Sequence, residues 1–226
     1  MKIVIINASP RKNGATAKMI GEFESCLNRE GVELTTYHLA DLNMAFCNGC
    51  CNCYKTGQCV YQDDAEMISQ EISKADGLII GTPCYTSDIS GQLKTFIDRG
   101  HFVIEQLLKG KHAIGIVTHE NVGGGSAYSS LKNLFVFSGV LTVDKLIVKL
   151  PFNSNPLDNT KTKQQIAKKA AKLHGSIKNN KSSILCGIIH FFVLNFGIRP
   201  FVQKKGEAYQ GVLQHWKERG ISHTKL

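Results

Sequence analysis

Short apolar runs that alternate with amphipathic helical stretches are the feature that most constrains this chain. Residues 3–7 read Ile-Val-Ile-Ile-Asn, and 15–29 follow with Ala17, Ile20, Phe23 and Leu27 on one helical face. The alternation continues as strand 33–39, helix 63–74, strand 77–81, helix 91–108, strand 113–118, helix 126–137 and strand 140–149. In 33–39, Leu34, Thr36 and His38 alternate with Thr35, Tyr37 and Leu39. The apolar strands read as continuous runs, which indicates a parallel sheet covered by helices on both faces.

Five parallel strands with right-handed crossovers predict the order 2-1-3-4-5, a flavodoxin-like three-layer α/β sandwich. Ligands of such sheets bind at the carboxyl ends of the strands where the order reverses, here between strands one and three. The loop 8–16, Ala-Ser-Pro-Arg-Lys-Asn-Gly-Ala-Thr, lies at that point and opens a helix. Unpaired amides at a helix start, aided by its dipole, attract an anion, and Ser9, Arg11 and Thr16 add side-chain donors. The loop lacks both the Walker lysine-serine ending and the three-glycine dinucleotide fingerprint, so a monophosphate fits better than a pyrophosphate. An ordinary strand-to-helix turn capped by Ser9 is the alternative.

Charge divides the chain. Residues 1–150 hold 14 Lys and Arg against 15 Asp and Glu, a net of −1, whereas 151–226 hold 13 against 3, a net of +10. A domain over 1–180 with a basic, apolar helical extension over 181–226 is expected. Such asymmetry points to an anionic partner, and nucleic acid is the weakest of these because no binding motif accompanies the charge. The first apolar run is too short for a secretory signal core, and eight cysteines then favour thiol, metal or cluster chemistry in a reducing cytoplasm.

Four of those cysteines form Cys47-x2-Cys50-x2-Cys53-x5-Cys59, with Cys51 beside them. A C-x2-C-x2-C run sets three sulfurs around one face of a [4Fe–4S] cuboid. Zinc sites usually hold a dozen or more residues between ligand pairs and fit less well. Free, redox-labile thiols are the remaining reading.

Three loops then carry one message. They are Ser9-Pro10-Arg11 with Gly14 and Thr16; Gly81-Thr82-Pro83-Cys84-Tyr85-Thr86-Ser87 running into Ser90-Gly91-Gln92-Leu93-Lys94 and Asp98-Arg99; and Thr118-His119 before Gly123-Gly124-Gly125. Over residues 1–150 this combination resembles the NADPH-dependent FMN reductase group of flavodoxin-like proteins, and the cysteine spacing resembles that of the iron–sulfur flavoproteins. The resemblance implies that Ser9, Arg11, Gly14, Ala15 and Thr16 hold the FMN phosphate. It implies that Pro83, Tyr85, Thr86 and Ser87 line one edge and face of the isoalloxazine, and Thr118, Gly123 and Gly124 the other edge. It also implies a homodimer, in which Asp98 and Arg99 serve packing or form a local salt bridge. Ala8 departs from the glycine often found there, which matters only if the backbone needs positive φ. Cys84 is either a thiol facing the ring or a small buried hydrophobe. Cys26 and Cys186 read as structural, and His119 as a flavin donor or an exposed residue.

Residues 184–198 are almost wholly apolar and flanked by lysines. As a helix this stretch is about 22 Å long, short of a bilayer core. It caps the flavin crevice, buries itself in a dimer contact, or rests on an anionic membrane surface. Three functions follow. The first is an FMN oxidoreductase that takes hydride from NAD(P)H and passes electrons to a small acceptor such as a flavin, quinone or nitro compound. The second is an iron–sulfur flavoprotein that relays electrons from a ferredoxin-like donor to FMN. The third is a flavin protein docking on a membrane or protein through its tail.

Overall fold

The computed structural model describes residues 1–221. Its five strands are β1 (Lys2–Asn7), β2 (Glu33–His38), β3 (Gly77–Pro83), β4 (His112–His119) and β5 (Leu141–Lys149). All pairings are parallel and the order is β2-β1-β3-β4-β5, the expected flavodoxin-like arrangement. Every residue of β3 is buried, as a central strand read from an unbroken apolar run should be.

One face of the sheet carries α1 (Ala15–Asn28) and α6 (Thr160–Lys178). Met19, Ile20, Phe23 and Leu27 of α1 pack with Ile166, Ala170 and Leu173 of α6 over Ile3, Ile5 and Ile79. The other face carries α3 (Asp64–Lys74), α4 (Gly91–Arg99) and α5 (Gly124–Phe137), whose Ile68, Leu93, Phe96 and Leu131 cover Val4, Ile6 and Leu78. The loop after β2 contains a short helix, α2 (Asn52–Thr56).

One element is shorter than its apolar spacing predicts. Helix 91–108 stops at Arg99, and 100–110 is a chain of turns. The Phe102 ring lies where a Cβ on Gly100 would stand, 2.0 Å from it, and His101 and Gln106 take positive φ of 55° and 57°. A helix cannot continue through left-handed residues.

After α6 come α7 (Ile184–Phe192), a wider turn over Val193–Ile198, α8 (Arg199–Lys205) and α9 (Gln210–Glu218). They build a separate apolar cluster of Leu194, Ile198, Val202, Tyr209, Val212 and Trp216 against Tyr54, Val103 and Ile104. The last five residues of the expected extension, 222–226, lie outside the described residues.

The edge strand β5 is tied to α6 by Asp144, which bonds Lys169 Nζ at 2.7 Å and Lys172 Nζ at 2.8 Å. Partial burial pushes the Asp144 carboxyl up, but the two lysines outweigh it and hold it at about 2. Its stabilisation is therefore full above the unfolded value near 4 and is lost as pH falls towards 2. Asp144→Asn is expected to cost about 2 kcal/mol in urea unfolding at pH 7. The gap between variant and wild type should close as the titration is repeated down to pH 2.

Candidate functional site

The strand ends create a crevice where β1 and β3 diverge. Ala8 N donates to Gly81 O at 2.8 Å, and Ser90 Oγ donates to Ala8 O at 2.8 Å. Ser90 also caps α4 by accepting from Leu93 N, so one hydroxyl ties the first loop to the second. Ala8 has no positive φ, and alanine is accommodated there without strain.

The first loop is internally braced. Ser9 Oγ accepts from Arg11 N at 3.1 Å and donates to Arg11 O at 3.1 Å, while Ser9 N donates to Asn7 Oδ1. Thr16 Oγ1 pairs with Thr118 Oγ1 at 2.7 Å, both buried. Arg11 reaches across to Asn153 Oδ1 at 2.8 Å and lies over the Phe152 ring at 4.4 Å. The side chains expected to grip an anion are thus occupied with shaping the loop. The backbone remains: Gly14 is the N-cap of α1, no side chain caps that helix, and its first turn holds no acid. The first-turn amides form a site for negative charge.

This notch, of about 240 Å³ and lined by Arg11, Asn13, Gly14, Ala15, Lys18 and Asn153 among others, adjoins a crevice of about 300 Å³. The crevice is walled by Arg11 and Ala15 on one side, Pro83, Cys84 and Tyr85 on a second, Thr118, His119 and Glu120 on a third, and Leu150–Asn153 on the last. Arg11, Gly14, Ala15, Pro83, Cys84, Tyr85 and Thr118 are thus brought together around the notch and crevice. Ser9, Thr16, Thr86, Ser87, Gly123 and Gly124 do not line either cavity; Thr86 and Ser87 are exposed in the turn beside Tyr85. Phe152 and Asn153 were not foreseen, although an aromatic-asparagine pair just past a strand's carboxyl end was a readable signal.

The turn beside Tyr85 explains the wall. Tyr85 and Asp88 exchange backbone hydrogen bonds at 3.0 Å around Thr86 and Ser87, whose φ values are 49° and 62°. Two positive φ values make this the tight turn that matches strand twist, and non-glycine residues there are strained. Asp88 Oδ1 accepts from Ser130 of α5 at 2.6 Å, fastening the turn. Gly123, with φ 89°, allows the third loop to pass beneath: a Cβ there would stand 2.6 Å from Ser87 Cα. A Cβ on Gly124 would stand 2.3 Å from the His119 ring, whose buried Nδ1 has no hydrogen-bond partner among the described residues. Burial pushes the Cys84 thiol up, so it is a neutral group in this wall.

The second feature is the cysteine loop. Cys47, Cys50, Cys51, Cys53 and Cys59 line one small cavity together with Arg99 and His101. The chain wraps it through three left-handed residues, Gly49, Cys51 and Gly57. Cys53 and Cys59 are half-buried and the other three exposed. Burial pushes Cys53 up to about 12, so without an electrophilic partner its sulfur keeps a proton. Among the described residues no group of three or more His, Cys, Asp or Glu is set to hold a single metal ion. A [4Fe–4S] cluster asks for four thiolates, each on a different iron, and Cys47, Cys50, Cys53 and Cys59 are the four that share this cavity at the spacing read in the sequence.

Arg99 anchors both ends of this loop. Its side chain is 1% exposed and binds Asp63 through two contacts of 2.7 and 2.8 Å, Ala45 O at 2.8 Å and Tyr61 O at 3.4 Å. Asp98 turns away to Lys94, so the local Asp98–Arg99 bridge does not form. Around Asp63, burial raises the carboxyl, and the Arg99 guanidinium with the Ala45 amide bring it below the usual carboxylate range.

The extension closes the loop from outside. Tyr54 stacks on Tyr209 at 4.7 Å, His215 Nδ1 meets buried Glu105 at 2.8 Å, and Trp216 Nε1 donates to Ile104 O at 3.0 Å. Gly211 sits directly on the backbone of Gly57. Among the described residues none from the extension lines the crevice at the strand ends, so the expectation that it caps a flavin is corrected.

Residues 1–154 match the family described as NADPH-dependent FMN reductase. An iron–sulfur flavoprotein of Clostridioides difficile is 37% identical over 225 residues, 98% of this chain and 100% of that protein. A second, from Archaeoglobus fulgidus, is 35% identical over 127 residues, 54% of this chain and 56% of its own. Among solved structures, an FMN-dependent NADH-azoreductase from Bacillus anthracis in complex with FMN superposes with a TM-score of 0.63. It is 16% identical over 76% of this chain and 99% of that one, a likeness of fold.

Proposed function

The chain belongs to the NADPH-dependent FMN reductase family, and we propose that it oxidises NAD(P)H through FMN held in the crevice and reduces a small acceptor. The observation that carries this reading is the uncapped start of α1 opening onto a crevice between the carboxyl ends of β1, β3 and β4. Bound there, FMN supplies a ring able to accept a hydride and release electrons singly or in pairs.

The protein's part is orientation and exclusion. The first-turn amides of α1 hold the phosphate, with Arg11 beside them kept in place by Asn153 and Phe152. Pro83, Cys84 and Tyr85 supply a flat wall, and the Thr86–Ser87 turn resting on Gly123 fixes its height. Thr118 and His119 line the opposite side of the crevice and would bound the other edge of the ring. Tyr85, 44% exposed, leaves one side of the crevice open, so nicotinamide and acceptor take turns there.

Ala15→Asp tests the phosphate site. A carboxylate at the first position of α1 complements the helix dipole and leaves folding intact. FMN affinity should fall by about two orders of magnitude through charge repulsion, while riboflavin, which lacks the phosphate, binds as before. Equal losses for both flavins, or no loss, would remove the reading.

A second reading concerns Cys47, Cys50, Cys53 and Cys59, which we assign to a [4Fe–4S] cluster on the shared cavity and the names of the relatives. The cluster supplies one-electron transfer, and the exposure of Cys47 and Cys50 leaves it reachable by a ferredoxin-like protein donor. Anaerobically purified protein should carry about four irons per chain. Cys53→Ala should lose the iron and keep the FMN, and the relative rates with NADPH and reduced ferredoxin decide which donor feeds the flavin.

A further inference from the structure

We propose that the outer face of α7 and α8 is a docking surface for an anionic lipid bilayer, on which the protein lies without crossing it. Ile184, Ile188, Phe192 and Phe196 recur every four residues on one side of this helix and are 82, 43, 56 and 70% exposed. Leu185 and Phe201 add to the exposed apolar surface, and the Phe192 and Phe196 rings stack at 5.4 Å. The opposite side, Leu194, Ile198 and Val202, is buried on the protein's own apolar cluster. Both stripes keep their four-residue spacing through Val193–Ile198 because the turn there is wider than an α turn.

This two-sidedness decides how the helix meets a membrane. A run from Ile184 to Glu218 is long and apolar enough to span by composition, but it is seated on the protein at Leu194, Ile198 and Val202, while α7 ahead of them has no buried residue. A helix anchored at those three residues cannot pass through lipid along its whole length. It can sink its free side into the headgroup boundary, as interfacial helices do.

Charge identifies the occupant. Exposed Lys178 and Lys181 precede the apolar stripe and exposed Lys204 and Lys205 end it; none of the four is ion-paired among the described residues. Residues 159–206 contain no Asp or Glu. A second copy docked about a two-fold axis would set lysine rim against lysine rim with no acid to answer it. Acidic headgroups supply the missing counter-charge.

The test is co-sedimentation of the full-length FMN-loaded protein with phosphatidylcholine vesicles, with and without phosphatidylglycerol. The protein should pellet only with the anionic vesicles at low salt and be released by high salt. Lys204→Glu with Lys205→Glu should weaken binding at least about tenfold, and Phe192→Ser with Phe196→Ser should abolish it. These side chains point outward, so FMN content and circular dichroism should be unchanged in both variants. Protein left in the supernatant with anionic vesicles at low salt overturns the proposal, and so does pelleting that neither variant reduces. Sedimentation velocity on the supernatant then reports whether Phe192→Ser with Phe196→Ser converts a dimer to a monomer, the mark of a second copy on this face.

Discussion

Replacing Arg99 with leucine is expected to lower stability by about 3–5 kcal/mol, the usual effect of removing one partner from a buried ion pair. Its side chain is almost wholly enclosed, and Asp63, 10% exposed, keeps its charge with only the Ala45 and Ala65 amides to satisfy it. Because the same guanidinium holds Ala45 O ahead of the cysteines and Tyr61 O behind them, the loop should open and iron be lost with the stability. Urea unfolding and an iron assay on anaerobic protein measure the two effects together. Adding Asp63→Leu to Arg99→Leu should restore part of the loss by removing the stranded carboxylate. Recovery should stop about 1 kcal/mol short, since Asp63 also caps α3 by accepting from Ala65 N. If the double variant is no more stable than Arg99→Leu, the buried charge is not the source of the effect.

Gly123→Val is expected to abolish FMN binding at micromolar concentrations. A β-branched residue at φ 89° carries about 1–2 kcal/mol of backbone strain. Its Cβ would also stand 2.6 Å from Ser87 Cα, backbone that cannot swing away as a side-chain tip could. The Thr86–Ser87 turn must therefore move, and with it the Pro83–Tyr85 wall. A weakening of about a hundredfold or more in a fluorescence titration of FMN corresponds to roughly 3 kcal/mol. Gly125→Val is the control: among the described residues nothing beyond its own helix and chain neighbours lies within 4 Å of a Cβ there, and FMN should bind it normally. An unchanged affinity in Gly123→Val would mean the wall does not touch the flavin.

The architecture was legible where local pattern and global fold agree. Ile3 to Ile6 and Gly77 to Gly81 announce buried parallel strands by their composition, and right-handed crossovers leave one leading order for five of them. Helix 91–108 misled because Phe102, Ile104 and Leu108 continue an apolar spacing that the left-handed residues His101 and Gln106 interrupt. Nothing in local composition marks those two as turn residues. In the site, loops were easier to read than contacts. Arg11, Ala15, Pro83 and Tyr85 follow from strand ends, which a sequence reveals. The pairing of Arg99 with Asp63, of Thr16 with Thr118 and of Arg11 with Asn153 depends on how distant segments meet. Neighbours in sequence suggested Asp98 for Arg99, and tertiary packing selected another acid.

The backbone contact between Gly57 and Gly211 has an evolutionary consequence. A side chain on Gly211 would start 2.2 Å from the Gly57 amide nitrogen, and one on Gly57 would meet the His215 ring at 2.8 Å. Neither position can drift alone while α9 stays seated on the cysteine loop. In descendants of this chain the two glycines should be kept or surrendered as a pair, and the tail should disappear only from lineages that also rebuild the loop.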